Sequence, residues 1–166
     1  MVVIKKVSAK HILDSRREKT IFVSIETNVG KFFASSPTGK STGKHEAKPY
    51  RNSLEEDIEA LKKFRDYFSD EIIDNFSDLR RIEDITEGHI GANSLFALES
   101  AILKALAKEK KKQIWQLVNP EFSKNKRNVA TKSICVATFL SLSIFSKAFI
   151  NSKFSHFSPQ RGSMHV

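Results

Sequence analysis

Cysteine is almost missing: Cys135 is the single one in 166 residues. That excludes an intramolecular disulfide framework and any zinc site built on several cysteines. Glycine and proline number only 6 and 4, so where they cluster the backbone has to turn or approach something closely. The chain opens with no charged-then-apolar leader, and Ile134 to Ile150 is broken by serines and Lys147, short of the about 20 apolar residues of a spanning helix. The expected compartment is the cytoplasm. Acid is absent from one end: residues 122–166 hold 7 Lys+Arg and no Asp or Glu, whereas residues 1–121 hold 21 Lys+Arg and all 19 acids. The net charge of +9 therefore sits mostly in the tail, and the rest reads as an ordinary balanced surface. The five histidines are scattered with no HxH or HExxH spacing, which argues against a histidine metal site.

What is present has room for one domain, able to bury about two thirds of its unfolded surface. Val2, Val3, Ile4 and Val7 form a short β-branched run, and Thr20 to Thr27 alternates with Ile21, Val23 and Ile25 on one face. Asn28-Val29-Gly30 is a turn and Lys31 to Ser35 a third strand, so the three read as an antiparallel meander. From Ser53 the period lengthens. Ser53 and Glu56 have capping-box spacing, and Leu54, Ile58, Leu61, Phe64 and Phe68 mark a helical stripe. Shorter helical pieces are expected around Glu71 to Phe76 and Asp78 to Asp84, then a strong helix from about Asn93 with lysines at its C-terminal end, where the dipole favours cations. Ile114 to Val118 adds a turn before Asn119-Pro120. Strands followed by helices is the α+β order. The expected organisation is a domain over residues 1–120 and a separate tail over 121–166 rich in Ser, Phe and Lys.

Ser36-Pro37-Thr38-Gly39-Lys40-Ser41-Thr42-Gly43 stands between the last strand and the first helix, with the composition of a backbone bent for a ligand. Gly39-Lys40-Ser41 has a P-loop look, but Ala34 stands where that motif needs glycine. Ile12-Leu13-Asp14-Ser15-Arg16, the loop followed by His45-Glu46-Ala47 and Arg51, and Gly91-Ala92-Asn93 opening an LxxLxxAxxKAxA helix together resemble the N-terminal domain of enolase, the phosphopyruvate hydratase of glycolysis. The resemblance covers residues 1 to about 118 and implies the same α+β fold, a three-stranded antiparallel meander followed by helices. It departs from the family at Arg17-Glu18-Lys19, where Gly-Asn-Pro is usual.

That resemblance implies that Thr38, Gly39, Lys40, Ser41, Thr42 and Gly43 form a lid over substrate, with Ser41 as a ligand to the second of two Mg²⁺ ions. Lys40 falls where many members have alanine. The implied reaction takes the C2 proton of 2-phosphoglycerate with a lysine base and holds the ene-diolate on two Mg²⁺ ions on the way to phosphoenolpyruvate. Its catalytic groups belong to a C-terminal β/α barrel. A barrel takes roughly 250 residues, and a 45-residue tail without acid supplies neither the fold nor the carboxylates. No catalytic residue is therefore assigned here, and the chain is expected to be inactive without a barrel; the partners the resemblance implies are a separate barrel chain or an enolase-like homo-oligomer. The tail reads as the product of a frame change or truncation after Asn119-Pro120. The competing reading is a non-enzymatic module that uses this basic tail on RNA or an anionic membrane, against which the lack of any binding motif counts.

Overall fold

The computed structural model describes residues 1–37, 47–63 and 71–120. The tail, on which the frame-change and RNA or membrane readings rest, lies outside the described residues.

Strands β1 (Val2–Leu13), β2 (Lys19–Thr27) and β3 (Gly30–Ser35) form the expected antiparallel meander. Strand β1 runs well past the short run read from its β-branched residues. Its pattern is hidden in the sequence because Ile4 and Val7 are both buried three positions apart, which strict alternation forbids. The register shift between Ile4 and Lys6 absorbs the extra residue, so the inward set continues through Val7 and Ala9.

Residues 72–73 correct the expected helical piece at Glu71 to Phe76. They form strand β4 (Ile72–Ile73), antiparallel to Val2 and Val3 on the far side of β1. The sheet thus has four strands in the order β3-β2-β1-β4. Two β-branched residues are too few to show a period, but Ile73 is fully buried and the Ile4 N–H donates to Glu71 O at 3.0 Å. A 3₁₀ turn (Phe76–Asp78) follows. There the Asp78 carboxylate accepts the Asp74 and Asn75 N–H groups at 2.8 and 2.9 Å. The Asn75 bond, then that of Asp74, holds its carboxyl below the usual carboxylate range.

Helices α1 (Leu54–Lys63), α2 (Leu79–Thr86), α3 (Ala92–Lys110) and α4 (Ile114–Val118) complete the order strands first, helices after. The outer part of the α1 stripe, Phe64 and Phe68, lies outside the described residues. At its start the Glu56 N–H donates to Ser53 Oγ at 3.1 Å, while the Glu56 carboxylate takes Asn52 Nδ2 at 2.7 Å. Only half of the expected capping box is made that way. Helix α3 crosses β2 and β3 and α1 covers β1, so one face of the sheet is buried. Ile21, Val23 and Ile25 meet Leu98, Ile102 and Leu106 in the core, and Leu61, Ile73 and Ile82 extend it. Leu95, the first leucine of the LxxLxxAxxKAxA pattern, is half-buried, whereas Ala97, Ala101 and Leu103 are buried.

At the β1–β2 turn the Asp14 carboxylate accepts the Glu18 and Arg16 N–H groups at 2.9 and 2.8 Å. The Glu18 bond is the chief cause of its lowered pKa, with the Arg16 N–H and guanidinium adding to it. The turn forces Arg17 to φ 63°, a left-handed conformation that costs a non-glycine residue about 1–2 kcal/mol. The arginine that stands where enolases usually have glycine is thus strained. Arg17→Gly is expected to stabilise the fold by about 0.5–1 kcal/mol, since relief of strain is partly offset by the freer unfolded chain. The urea midpoint should rise with the slope unchanged; a lower midpoint would refute the strain account.

Candidate functional site

Every residue of the expected lid, Thr38 to Gly43, and with it the expected metal ligand Ser41, lies outside the described residues, which stop at Pro37 and resume at Ala47. What the structure shows is how the two stems of that loop are held.

The incoming stem continues β3. The Ser36 N–H reaches Ile21 O at 3.3 Å, and the buried Thr20 hydroxyl donates to Ser36 O at 2.7 Å. The same hydroxyl lies 3.5 Å from Tyr50 Oη on the outgoing stem. One threonine on β2 therefore touches both sides of the loop.

The outgoing stem is set against the start of α3. The first N–H groups of a helix have no partner within it; here Ala92 and Asn93 give theirs to Lys48 O and Pro49 O at 3.0 and 2.9 Å. Such contact needs the backbones to touch, and Gly91 permits it. A Cβ built at Gly91 would lie 2.3 Å from Tyr50 Cα and 2.6 Å from Pro49 O. Gly91 has φ −87°, so glycine is demanded by close approach and not by conformation.

Asp57 locks this junction from below. It projects from the first turn of α1 and is wholly buried. Its Oδ2 accepts the Gly91 N–H at 2.8 Å and the Ser94 hydroxyl at 2.5 Å, and its Oδ1 accepts the Arg51 N–H at 3.1 Å. Among the described residues no cation pairs with it at salt-bridge distance. Three donors from two separate segments stand in for water around the charge.

The sequence leaves Asp57 off the apolar stripe of α1 and places Thr20 within a strand. The carboxylate's partners lie 34 and 37 residues away, so no local pattern reports them. The Gly91-Ala92-Asn93 block did mark the spot, without its reason.

Beside the junction a groove of about 870 Å³ runs between α1 and the end of α2, lined by Arg51, Glu55, Glu56, Glu59, Lys63 and His89, with both charges interspersed. Among the described residues no group of three or more His, Cys, Asp or Glu side chains is placed to hold a metal ion, and no helix is long and apolar enough to cross a membrane.

The family model for the enolase N-terminal domain matches residues 4–118, the span of the four-stranded sheet and its helices. Cytosolic enolase 3 of Arabidopsis thaliana is 36% identical over 125 residues, which is 65% of this chain and 26% of that protein. The chain thus spans about a quarter of the length of that curated relative. By its family match and its fold, the chain belongs to the enolase N-terminal domain family.

Proposed function

We propose that residues 1–120 are an enolase-type N-terminal domain that delivers a lid, Thr38 to Gly43, to a β/α barrel carried elsewhere, for the Mg²⁺-dependent conversion of 2-phosphoglycerate to phosphoenolpyruvate in the cytoplasm. The observation that carries this reading is the mounting of the loop. Its stems are joined through Thr20 and clamped on α3 by Asp57 and Gly91, which fixes the ends of a segment that the family uses to close over substrate.

Among the described residues no group of three or more His, Cys, Asp or Glu side chains is placed to hold a metal ion. The hydroxyl of Ser41 is a hard ligand suited to Mg²⁺, but one hydroxyl is not a site, so the remaining ligands are assigned to the barrel. When bound there, Mg²⁺ would stabilise the ene-diolate charge. The part assigned to this chain is to position the loop and exclude water. Alone it is expected to have no hydratase activity.

Mixing the full chain with a barrel-only enolase chain, Mg²⁺ and 2-phosphoglycerate tests this. Phosphoenolpyruvate should form only with both chains present, and Ser41→Ala should lower the rate by roughly tenfold or more, the loss typical of a disturbed metal site. A barrel chain that co-elutes with this one yet forms no product sinks the lid reading.

A further inference from the structure

Strand β3 ends the sheet, and among the described residues no strand lies beyond it. An antiparallel strand turns the N–H and C=O of alternate residues toward its neighbour and those of the residues between them away. Two contacts fix which residues face away. The Ser36 N–H donates inward to Ile21 O on β2, whereas Phe33 O, three positions earlier, accepts the Lys104 ammonium at 2.8 Å. Lys31, Phe33 and Ser35 therefore present their backbone groups along the open edge. Such an edge pairs with another chain unless something blunts it.

This edge matches itself. Two copies related by a two-fold axis at Phe33 would set Phe33 against Phe33 and Lys31 against Ser35, every pair of the hydrogen-bonded kind and no like charges opposed. Lys31 is also neutralised by Glu26 at 2.8 Å. The strand reads Gly-Lys-Phe-Phe-Ala-Ser, with no proline and one cation, and Phe33 is 59% exposed, so pairing would take apolar surface out of water. A strand of unrelated sequence would find the same backbone groups without this match of side chains.

Lys104 stands in the way. It reaches round the sheet edge from α3, its Nζ 5.8 Å from the Phe33 ring centroid, and takes the one carbonyl that lies at the axis. Among the described residues no carboxylate pairs with it at salt-bridge distance. Two copies would each have to give up that bond, and two uncompensated ammonium groups would meet beside the axis. A charged side chain laid on an edge strand is a common guard against edge-to-edge pairing. We propose that the open edge of β3 is a latent pairing surface for a second copy of this chain, held closed by Lys104 and opened when the Lys104 charge is lost.

Sedimentation of the full chain over a concentration series tests this. Lys104→Met should tighten self-association by roughly tenfold or more, because one hydrogen bond per copy no longer has to be broken. Lys104→Arg keeps the cation and the donor and should sediment as the parent chain does. Lys104 is exposed, so neither change opens the core. Hydrogen exchange locates the contact: in associated Lys104→Met the amides of Lys31, Phe33 and Ser35 should gain protection. Adding Phe33→Pro should abolish the association, since proline there removes an outward N–H and no bond to β2. Should that variant melt early, the three amides decide alone. Unchanged association in Lys104→Met, association that leaves those amides unprotected or survives Phe33→Pro, or protection with no gain in mass, as when a segment of the same chain adds to the edge, would each overturn the proposal.

Discussion

Gly91→Ala is expected to be the most damaging single-methyl change in the domain. The new Cβ would sit 2.3 and 2.5 Å from Tyr50 Cα and C and 2.6 Å from Pro49 O, distances at which backbone has to move because no flexible side-chain end is there to yield. Moving it breaks more than one contact. The Gly91 N–H leaves Asp57, and the Lys48 and Pro49 carbonyls are pushed off the Ala92 and Asn93 N–H groups. Overpacking alone costs about 1–3 kcal/mol, and each charge-assisted bond lost from a buried carboxylate adds about 1.5–3 kcal/mol. The expected loss is about 4 kcal/mol or more, which takes most of the stability of a typical domain. Urea denaturation checks it directly. Gly88→Ala is the control: a Cβ added there would meet nothing within 4 Å, but Gly88 lies at φ +71°, so its cost is conformational and about 1 kcal/mol. If the two variants melt alike, the close-approach account is wrong.

The contrast shows which parts of this molecule can be read from its letters. Strand β2 is legible because Ile21, Val23 and Ile25 alternate without interruption and nothing local competes. Helix α3 is legible because its apolar residues recur over nineteen positions, long enough for the period to show. Strand β4 is not, since Ile72 and Ile73 gain their conformation from Val2 and Val3, some seventy residues away. The full length of β1 is not either, because a bulge resets its parity. In each failure the determining partner is remote in sequence, so tertiary pairing overrides the local signal.

The site divides in the same way. The glycine-rich loop and the Gly91 block stand out by composition, and the resemblance they carry leads to the family. Their mounting does not stand out. Thr20 gains its role only when β3 brings Ser36 back beside β2, and Phe33 meets the Lys104 ammonium only when that side chain comes round the edge from 71 positions away. The strained Arg17 is an intermediate case: its place in the motif marks a departure from glycine, and only the φ of 63° shows what the departure costs.

Asp57 allows the sharpest test of the junction, because three substitutions separate its parts. Asp57→Ala leaves the Gly91 and Arg51 N–H groups and the Ser94 hydroxyl without their buried acceptor. At about 1–3 kcal/mol for each buried group left unsatisfied, the expected loss is about 3–5 kcal/mol, moderated by any water that enters. Asp57→Asn keeps the volume and an oxygen for one set of donors but turns an NH₂ toward the other. It should lose about 2 kcal/mol, less than alanine. In Asp57→Ala/Ser94→Ala the bond between the two side chains is lost only once, so the double variant should be less destabilised than the two single losses added together, a coupling on the order of 1 kcal/mol. Hydrogen exchange locates the effect. In Asp57→Asn the amides of Gly91, Ala92 and Asn93 should lose protection while Val23 and Ile25, in the middle of the sheet, keep theirs. Additive losses, or exchange that quickens evenly across sheet and junction, would show that Asp57 acts as a general core residue and not as the lock between α1, the loop's outgoing stem and α3.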